Sequence, residues 1–275
     1  MSKKENKNSR FSSFSIINEN TSFSVTEAFK TARTNLMFML DNKHDKNSIV
    51  FTSFAPRDGK STTCLNLAIT FAQTGARILV IDADMRKPTI HRYMKIQSKP
   101  GLSEVLAGMS DDNPCIYKTE VENLFVLPSG TIPPNPTELL ISENMEKLID
   151  KCSSLFDYIF IDTPPLGLVT DAAIVAAKTL GIINIVNCRY SRNEDVEVIK
   201  STVEQAGINF IGCIVNSAPL NANSGKYHFG SGYRYKYGYK YGYKYGYKYG
   251  YRDYKYDSKT ESAYENKNSN SDEKS

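Results

Sequence analysis

The sequence predicts a doubly wound α/β domain with a mostly parallel sheet, joined to a C-terminal tail that builds no core. Near-continuous apolar runs such as ILVID (78–82), YIFID (158–162), IINIV (182–186) and FIGCIV (210–215) alternate with helical patterns. That alternation is expected when helices cover both faces of a parallel sheet. An early strand runs into Gly59-Lys60-Ser61-Thr62 and then into an apolar helix pattern, which is the strand–turn–helix context of a phosphate-binding loop. Beyond Asn221 aliphatic side chains almost vanish.

Residues 1–22 are polar and rich in Ser and Asn, and are expected to be disordered. From Ser24 a helical period sets in, with Val25, Ala28, Phe29, Ala32 and Leu36 at three- and four-residue steps. Ser24 and Glu27 fit a capping box, and Glu27, Lys30 and Arg33 share one polar face. Strands are predicted at Ser48–Phe54, Arg77–Ile81, Leu124–Leu127, Tyr158–Ile161, Gly181–Val186 and Phe210–Val215. Helices are predicted at Ser61–Thr74, around Leu102–Ala107, and at Thr137–Cys152, Asp171–Lys178 and Asn193–Ala206. The folded domain should span residues 23–220. The tail, 221–275, contains a four-residue Tyr-Gly-Tyr-Lys repeat and is expected to be disordered, sticky and cationic.

The 275 residues carry a net charge of only +4, and eight Lys or Arg of the segment 226–255 lie in the tail. The folded part is therefore roughly neutral, and no nucleic-acid patch is written into it. Five scattered cysteines without a CxxC pair suit a reducing cytoplasm rather than a zinc site or a disulfide framework. The N-terminus is too polar for a signal peptide. No run reaches the roughly 18 apolar residues of a membrane span, so work at a membrane is expected to go through a partner.

The chemistry concentrates at three places. In the loop 54–62, Pro56, Arg57, Asp58, Gly59, Lys60, Ser61 and Thr62 form the expected nucleotide-binding stretch, with Phe54 where GxxxxGK[ST] begins with Gly. Such a loop turns successive backbone N–H groups inward at the positive end of a helix. Lys60 can reach the outer phosphates of a nucleoside triphosphate, and Ser61 is placed to ligate Mg²⁺. Asp82 and Asp84 end one buried strand and Asp162 ends another. In an open α/β sheet the ligand crevice lies at those carboxyl ends. Three carboxylates there suit a hard cation bridging protein oxygens to phosphates; without compensation they raise one another's pKa.

Glu27…Arg33, APRDGKST, ILVIDADMRKP, LPSGTIPPNPTELL and YIFIDTPP, followed by a Tyr-rich tail, resemble the cytoplasmic bacterial tyrosine kinases that regulate capsule and exopolysaccharide synthesis and export. The resemblance covers residues 24–220 and the tail. Its most specific piece is DADMRKP, where Arg86 and Pro88 separate the family from related ATPases. It implies a P-loop NTPase fold that uses ATP and Mg²⁺. Lys60 would contact the β- and γ-phosphates, and Ser61, Asp84 and Asp162 would hold Mg²⁺. Asp82, or Asp84 in exchange, would accept the phenol proton, and Arg86 would steady the loop or phosphates.

The resemblance also implies a homo-oligomeric ring built through Glu27, Lys30 and Arg33, with Lys30 where the family has Arg. Each tail would enter a neighbour's site, its phosphoacceptor candidates being Tyr233, Tyr235, Tyr237, Tyr239, Tyr241, Tyr243, Tyr245, Tyr247, Tyr249, Tyr251, Tyr254 and Tyr256. Implied partners are a transmembrane activator of the polysaccharide chain-length regulator type, a protein-tyrosine phosphatase and sugar-metabolising substrates. The implied location is cytoplasmic, membrane-associated through the activator. Two rival readings stay open: a partition- or division-site ATPase switch, which would have Lys where Ala55 stands, and an inactive regulatory subunit. A tail that is merely adhesive, or that binds nucleic acid by stacking, also stays open.

Overall fold

The computed structural model describes residues 16–40, 46–111 and 115–218. Residues 219–275, which include the tail 221–275 and every candidate acceptor from Tyr233 to Tyr256, and residues 1–15 lie outside the described residues. Among those described, seven strands form one sheet in the order β3-β4-β2-β5-β1-β6-β7. They are β1 (Ser48–Ser53), β2 (Ile78–Asp82), β3 (Tyr117–Lys118), β4 (Leu124–Leu127), β5 (Tyr158–Asp162), β6 (Gly181–Asn187) and β7 (Phe210–Asn216). All neighbours pair parallel except β3 with β4. The helices are α1 (Phe23–Leu40), α2 (Lys60–Ala72), α3 (Ile90–Tyr93), α4 (Leu102–Leu106), α5 (Pro136–Ile141), α6 (Glu143–Ser153), α7 (Asp171–Ala176) and α8 (Asn193–Gln205).

The period of two along the central strands sorts side chains into two cores. Val50, Leu79, Ile81, Ile159 and Ile161 face one layer with α4, α5, α6 and α7. Ile49, Phe51, Ile78, Val80 and Phe160 face the other, under α2 and α1. Both faces are covered, so the strands need apolar residues at every position rather than alternation. On the α2 side Phe160 meets Phe51 at 5.0 Å and Phe71 at 5.2 Å between ring centroids, in the tilted and edge-on geometries that aromatic quadrupoles favour.

Several expectations are corrected. Residues 16–22 do not belong to a disordered segment: Ile17 is 9% exposed and its amide donates to Asn66 Oδ1 of α2 at 2.9 Å. Two isoleucines in a polar stretch are too few to show a period, yet they suffice to cap the α2 face. The capping box at Ser24 is absent; the amides of Val25 and Thr26 donate to the Ser22 carbonyl, and Glu27 pairs with Lys30 Nζ at 2.8 Å instead. The predicted helix 137–152 is two helices, broken at Ser142, whose ψ of 155° leaves the helical region. The two-residue β3 and one-turn α3 are too short for any period to reveal.

Removing the Phe160 ring should leave a cavity at the centre of the α2-side core. Phe160→Ala is expected to cost about 3–5 kcal/mol, read as a lower urea midpoint at unchanged m-value. A cost below about 1 kcal/mol would mean that this layer repacks freely.

Candidate active site

The strand order assembles the site. β5 lies between β1 and β2, so the loop that follows β1 and the ends of β2 and β5 meet at one edge of the sheet. In the register Asp82 stands opposite Asp162, and Phe51 opposite Asp162 on the other side. A cavity of about 450 Å³ opens there, bordered by Pro56, Arg57, Gly59, Lys60, Ser61 and Thr62, by Asp84, Arg86 and Lys87, and by Pro164, Pro165 and Leu168. A larger groove of about 670 Å³ adjoins it at Thr89 and Tyr93, but none of these acidic residues and no part of the phosphate loop borders it.

Gly59 is the N-cap of α2 at φ 87°, ψ 18°. That conformation is open to glycine at little cost, and a Cβ there would collide with the Asn216 carboxamide. Asn216 Nδ2 donates to the Asp58 carbonyl at 3.0 Å, and the Tyr190 hydroxyl donates to the Arg57 carbonyl at 2.8 Å. In a trans peptide the carbonyl and the next N–H point in opposite directions. Anchoring those two carbonyls therefore turns the amides of Asp58 and Gly59 toward the cavity, as a phosphate cradle requires. Phe54 replaces the first loop glycine because Gly167 makes room: a Cβ at Gly167 would strike the Phe54 carbonyl and ring. Asn216, Tyr190 and Gly167 carry no motif signal, and only the folded chain reveals them.

Lys60 sits among the carboxylates. Its Nζ lies 2.7 Å from Asp162 Oδ1, 3.9 Å from Asp84 Oδ2 and 3.2 Å from Ser61 Oγ. Burial works against the ammonium, but Asp162, Asp84 and Asp82 more than offset it and hold its pKa above the ordinary value. Asp82 is wholly buried; its Oδ2 accepts from the amides of Thr89 and Ile90 at 3.2 and 3.1 Å. Burial first, and then Asp162, push its pKa up to about 8. Burial pushes Asp162 up as well, with Lys60 pulling against it. Asp82 Oδ1 and Asp162 Oδ2 are buried without a hydrogen-bond partner.

These orphaned oxygens beside a phosphate cradle fit a hard cation held partly by a nucleotide. No cluster of three His, Cys, Asp or Glu among the described residues is arranged to hold a metal ion by itself. Mg²⁺ commonly takes one or two protein carboxylates and completes its shell with phosphates and water. Ser61, Asp84 and Asp162 converge on Lys60 and would supply those protein oxygens. The Asp58 side chain, unlike its neighbours in the loop, does not border the cavity. It is 1% exposed and folds back so that Oδ2 accepts from the Ala55 amide at 3.1 Å, which braces the loop from within.

Arg86 borders the cavity but is committed elsewhere. Its Nε donates to Asp171 Oδ2 at 2.9 Å, and one terminal nitrogen donates to Thr137 Oγ1 at 2.9 Å. Thr137 in turn donates to Asp171 Oδ1 at 2.8 Å. Asp171 is 1% exposed and opens α7. Two sequence motifs 51 residues apart are thus joined through an aspartate that belongs to neither. On α1 the three expected contact residues separate. Glu27 and Lys30 pair near the surface, whereas Arg33 turns inward and donates to the Thr70 carbonyl of α2 at 2.8 Å.

A family model described as an AAA domain matches residues 47–209. The putative tyrosine-protein kinase CapB of Staphylococcus aureus is 34% identical over 205 residues, covering 74% of this chain and 90% of that protein. Tyrosine-protein kinase CpsD of Streptococcus agalactiae is 40% identical over 191 residues, covering 69% and 82%. Among solved structures, the chimerical protein CapA2B2 superposes with a TM-score of 0.70 at 38% identity, covering 76% of this chain and 92% of that one. With a phosphate cradle, a lysine among strand-end carboxylates and relatives that match most of its described length, the chain belongs to the bacterial tyrosine kinase family.

Proposed function

We propose that this protein transfers the γ-phosphoryl group of ATP to tyrosines of its own C-terminal tail, in trans between subunits, and thereby regulates capsular or exopolysaccharide synthesis and export. The observation that carries the reading is Lys60, held by Asp162 and Asp84 at the mouth of a cradle whose amides are pre-oriented by Asn216 and Tyr190. Phosphoryl transfer asks a protein chiefly for positioning and charge cancellation, and this arrangement supplies both.

Within that reading Lys60 would pair with the β- and γ-phosphates, and Asp162, Asp84 and Ser61 would hold Mg²⁺, which when bound would supply cancellation of the developing charge. A cation bound beside it would ionise the Asp82 carboxyl, and its free Oδ1 would then accept the phenol proton. Arg86 acts as a positioning residue, holding the 84–88 turn to α7 through Asp171. The tail supports the acceptor role: 14 of 18 tyrosines lie at or after Tyr227, interleaved with Lys and Arg. Each phosphate adds about −1.5 to −2 charges, so four or five make the tail anionic and release it from an acidic site. Glu27 and Lys30, near the surface of α1, would meet a neighbouring subunit in a ring. No described helix is long and apolar enough to cross a membrane, which fits a requirement for a transmembrane activator. A protein-tyrosine phosphatase would reset the tail, and sugar-metabolising enzymes would be further substrates.

An anti-phosphotyrosine blot tests the reading, using purified protein with Mg-ATP, with and without activator peptide. Signal should vanish in Lys60→Met and in a chain truncated after Asn223. Signal retained by the truncated chain would move the acceptors into the domain; ATP hydrolysis without any phosphotyrosine would hand the case to the switch ATPase. Lys60→Met should also unfold more easily, by about 3–5 kcal/mol, because it leaves Asp162 buried and uncompensated; equal urea midpoints would contradict the pairing.

Asp82 makes a separate prediction for the metal-free protein. Its carboxyl ionises near 3.8 when unfolded and about 8 when folded. Between those values the folded state holds the extra proton, so this group's contribution to stability is full below pH 3.8 and is lost as pH rises through 8. Asp82→Asn removes that loss, and keeps an acceptor for the Thr89 and Ile90 amides. Its Tm should therefore exceed the wild type's by a margin that grows from pH 5 to pH 8, about 2–4 °C for each kcal/mol. A constant margin would show that Asp82 is ionised throughout.

A further inference from the structure

The phosphate loop is anchored from outside by a tyrosine. Tyr190, in the turn between β6 and α8, donates its hydroxyl to the Arg57 carbonyl and accepts from Asn187 Nδ2 at 2.9 Å. Arg57 sits at φ 74°, a left-handed conformation that a residue with a Cβ holds only when its surroundings impose it. The Tyr190 hydroxyl is one of the groups that impose it. Tyr190 is also 56% exposed, whereas Tyr93, Tyr117 and Tyr158 are half-buried. The tyrosine that holds the phosphate loop is thus the most exposed of the described tyrosines. Its surroundings match the proposed substrate: Tyr190 lies between Arg189 and Arg192, as the tail tyrosines lie among Lys and Arg.

We propose that Tyr190 is a phosphoacceptor for a second copy of this chain, and that its phosphorylation frees the phosphate loop and weakens nucleotide binding. The inference rests on the kinase reading above. The Tyr190 oxygen attacks the γ-phosphorus of ATP bound to the second copy. The new O–P bond forms as the bond from that phosphorus to the bridging oxygen breaks, ADP leaves with the bridging oxygen, and the phenol proton passes to a carboxylate of the second copy's site. The product ester has no hydrogen to donate, so the bond to the Arg57 carbonyl is lost. A group of about −1.5 to −2 charges then faces a carbonyl oxygen and must turn away, toward the exposed Arg189 and Arg192 of its own turn. Released, Arg57 relaxes from its strained φ, and the Asp58 amide no longer points at a phosphate. Activity would so limit itself: copies that have been phosphorylated at Tyr190 lose nucleotide.

The test uses the full chain. Wild type and Tyr190→Phe are incubated with Mg-ATP, phosphotyrosines are mapped by mass spectrometry, and the affinity for a fluorescent ADP analogue with Mg²⁺ is measured before and after treatment with a tyrosine phosphatase. The expected result is phosphate on Tyr190 and binding about tenfold weaker than after dephosphorylation. Tyr190→Phe, which lacks the anchoring donor, should bind about threefold more weakly than unmodified wild type, as the loss of one hydrogen bond implies, and should not weaken further with Mg-ATP. Phosphorylated tail tyrosines with Tyr190 unmodified would overturn the inference while leaving the kinase standing. Modified Tyr190 with unchanged affinity would overturn the release of the loop. No phosphotyrosine anywhere would remove the kinase reading and this inference with it.

Discussion

Asp82, Asp84 and Asp162 come within reach of one another because β2 and β5 are hydrogen-bonded neighbours in register, with Asp82 opposite Asp162. Burying like charges so close is costly unless a cation stands among them, and Lys60 is that cation. Its position is in turn set by β1, which lies on the other side of β5 and launches the loop into α2. The site is therefore a consequence of strand order, and its electrostatics are held in tension. One carboxyl is driven up to about 8, and two buried oxygens have no partner. Such groups reduce stability by themselves and would become useful in holding the phosphates and metal of the proposed reaction.

Around this cluster the fold adds supports drawn from distant parts of the chain. The end of β7 and the turn after β6 take the outward carbonyls of the phosphate loop, and the segment after β5 leaves a gap for Phe54. On the opposite side Arg86, Thr137 and Asp171 form a closed set of charge-assisted hydrogen bonds that binds the turn after β2 to α5 and α7. Each support restrains a segment whose own conformation is unfavourable or loosely determined, and each joins positions at least 34 residues apart. Precise placement of a few reacting groups is what such second contacts secure.

α1 shows how one charged stripe divides between two duties. Glu27 and Lys30 neutralise each other near the surface, while Arg33 reaches across to a carbonyl of α2. Ile16 and Ile17 complete the cover over that helix. The helix proposed to meet a neighbouring subunit is thus fastened to the helix that begins at Lys60, so contact on its outer face would share one support with order at the phosphate loop.

The parallel α/β class, six of the strands and the positions of Lys60, Ser61, Asp82, Asp84 and Asp162 were all legible in the chain, because they rest on local rules. Apolar runs report burial on both sheet faces, and a phosphate loop needs its glycine, lysine and hydroxyl at fixed spacing. The tertiary structure alone decided that Asp58 braces the loop, that Arg33 turns inward, that Arg86 is held by Asp171, and that Tyr190 and Asn216 orient the cradle. Those roles depend on pairings between segments far apart in sequence, and neither period nor spacing carries information about which distant side chain a backbone carbonyl will meet. The break at Ser142 belongs with them: a helical period continues across the kink, and only the packing of α5 against α7 and of α6 against β5 shows where the backbone turns.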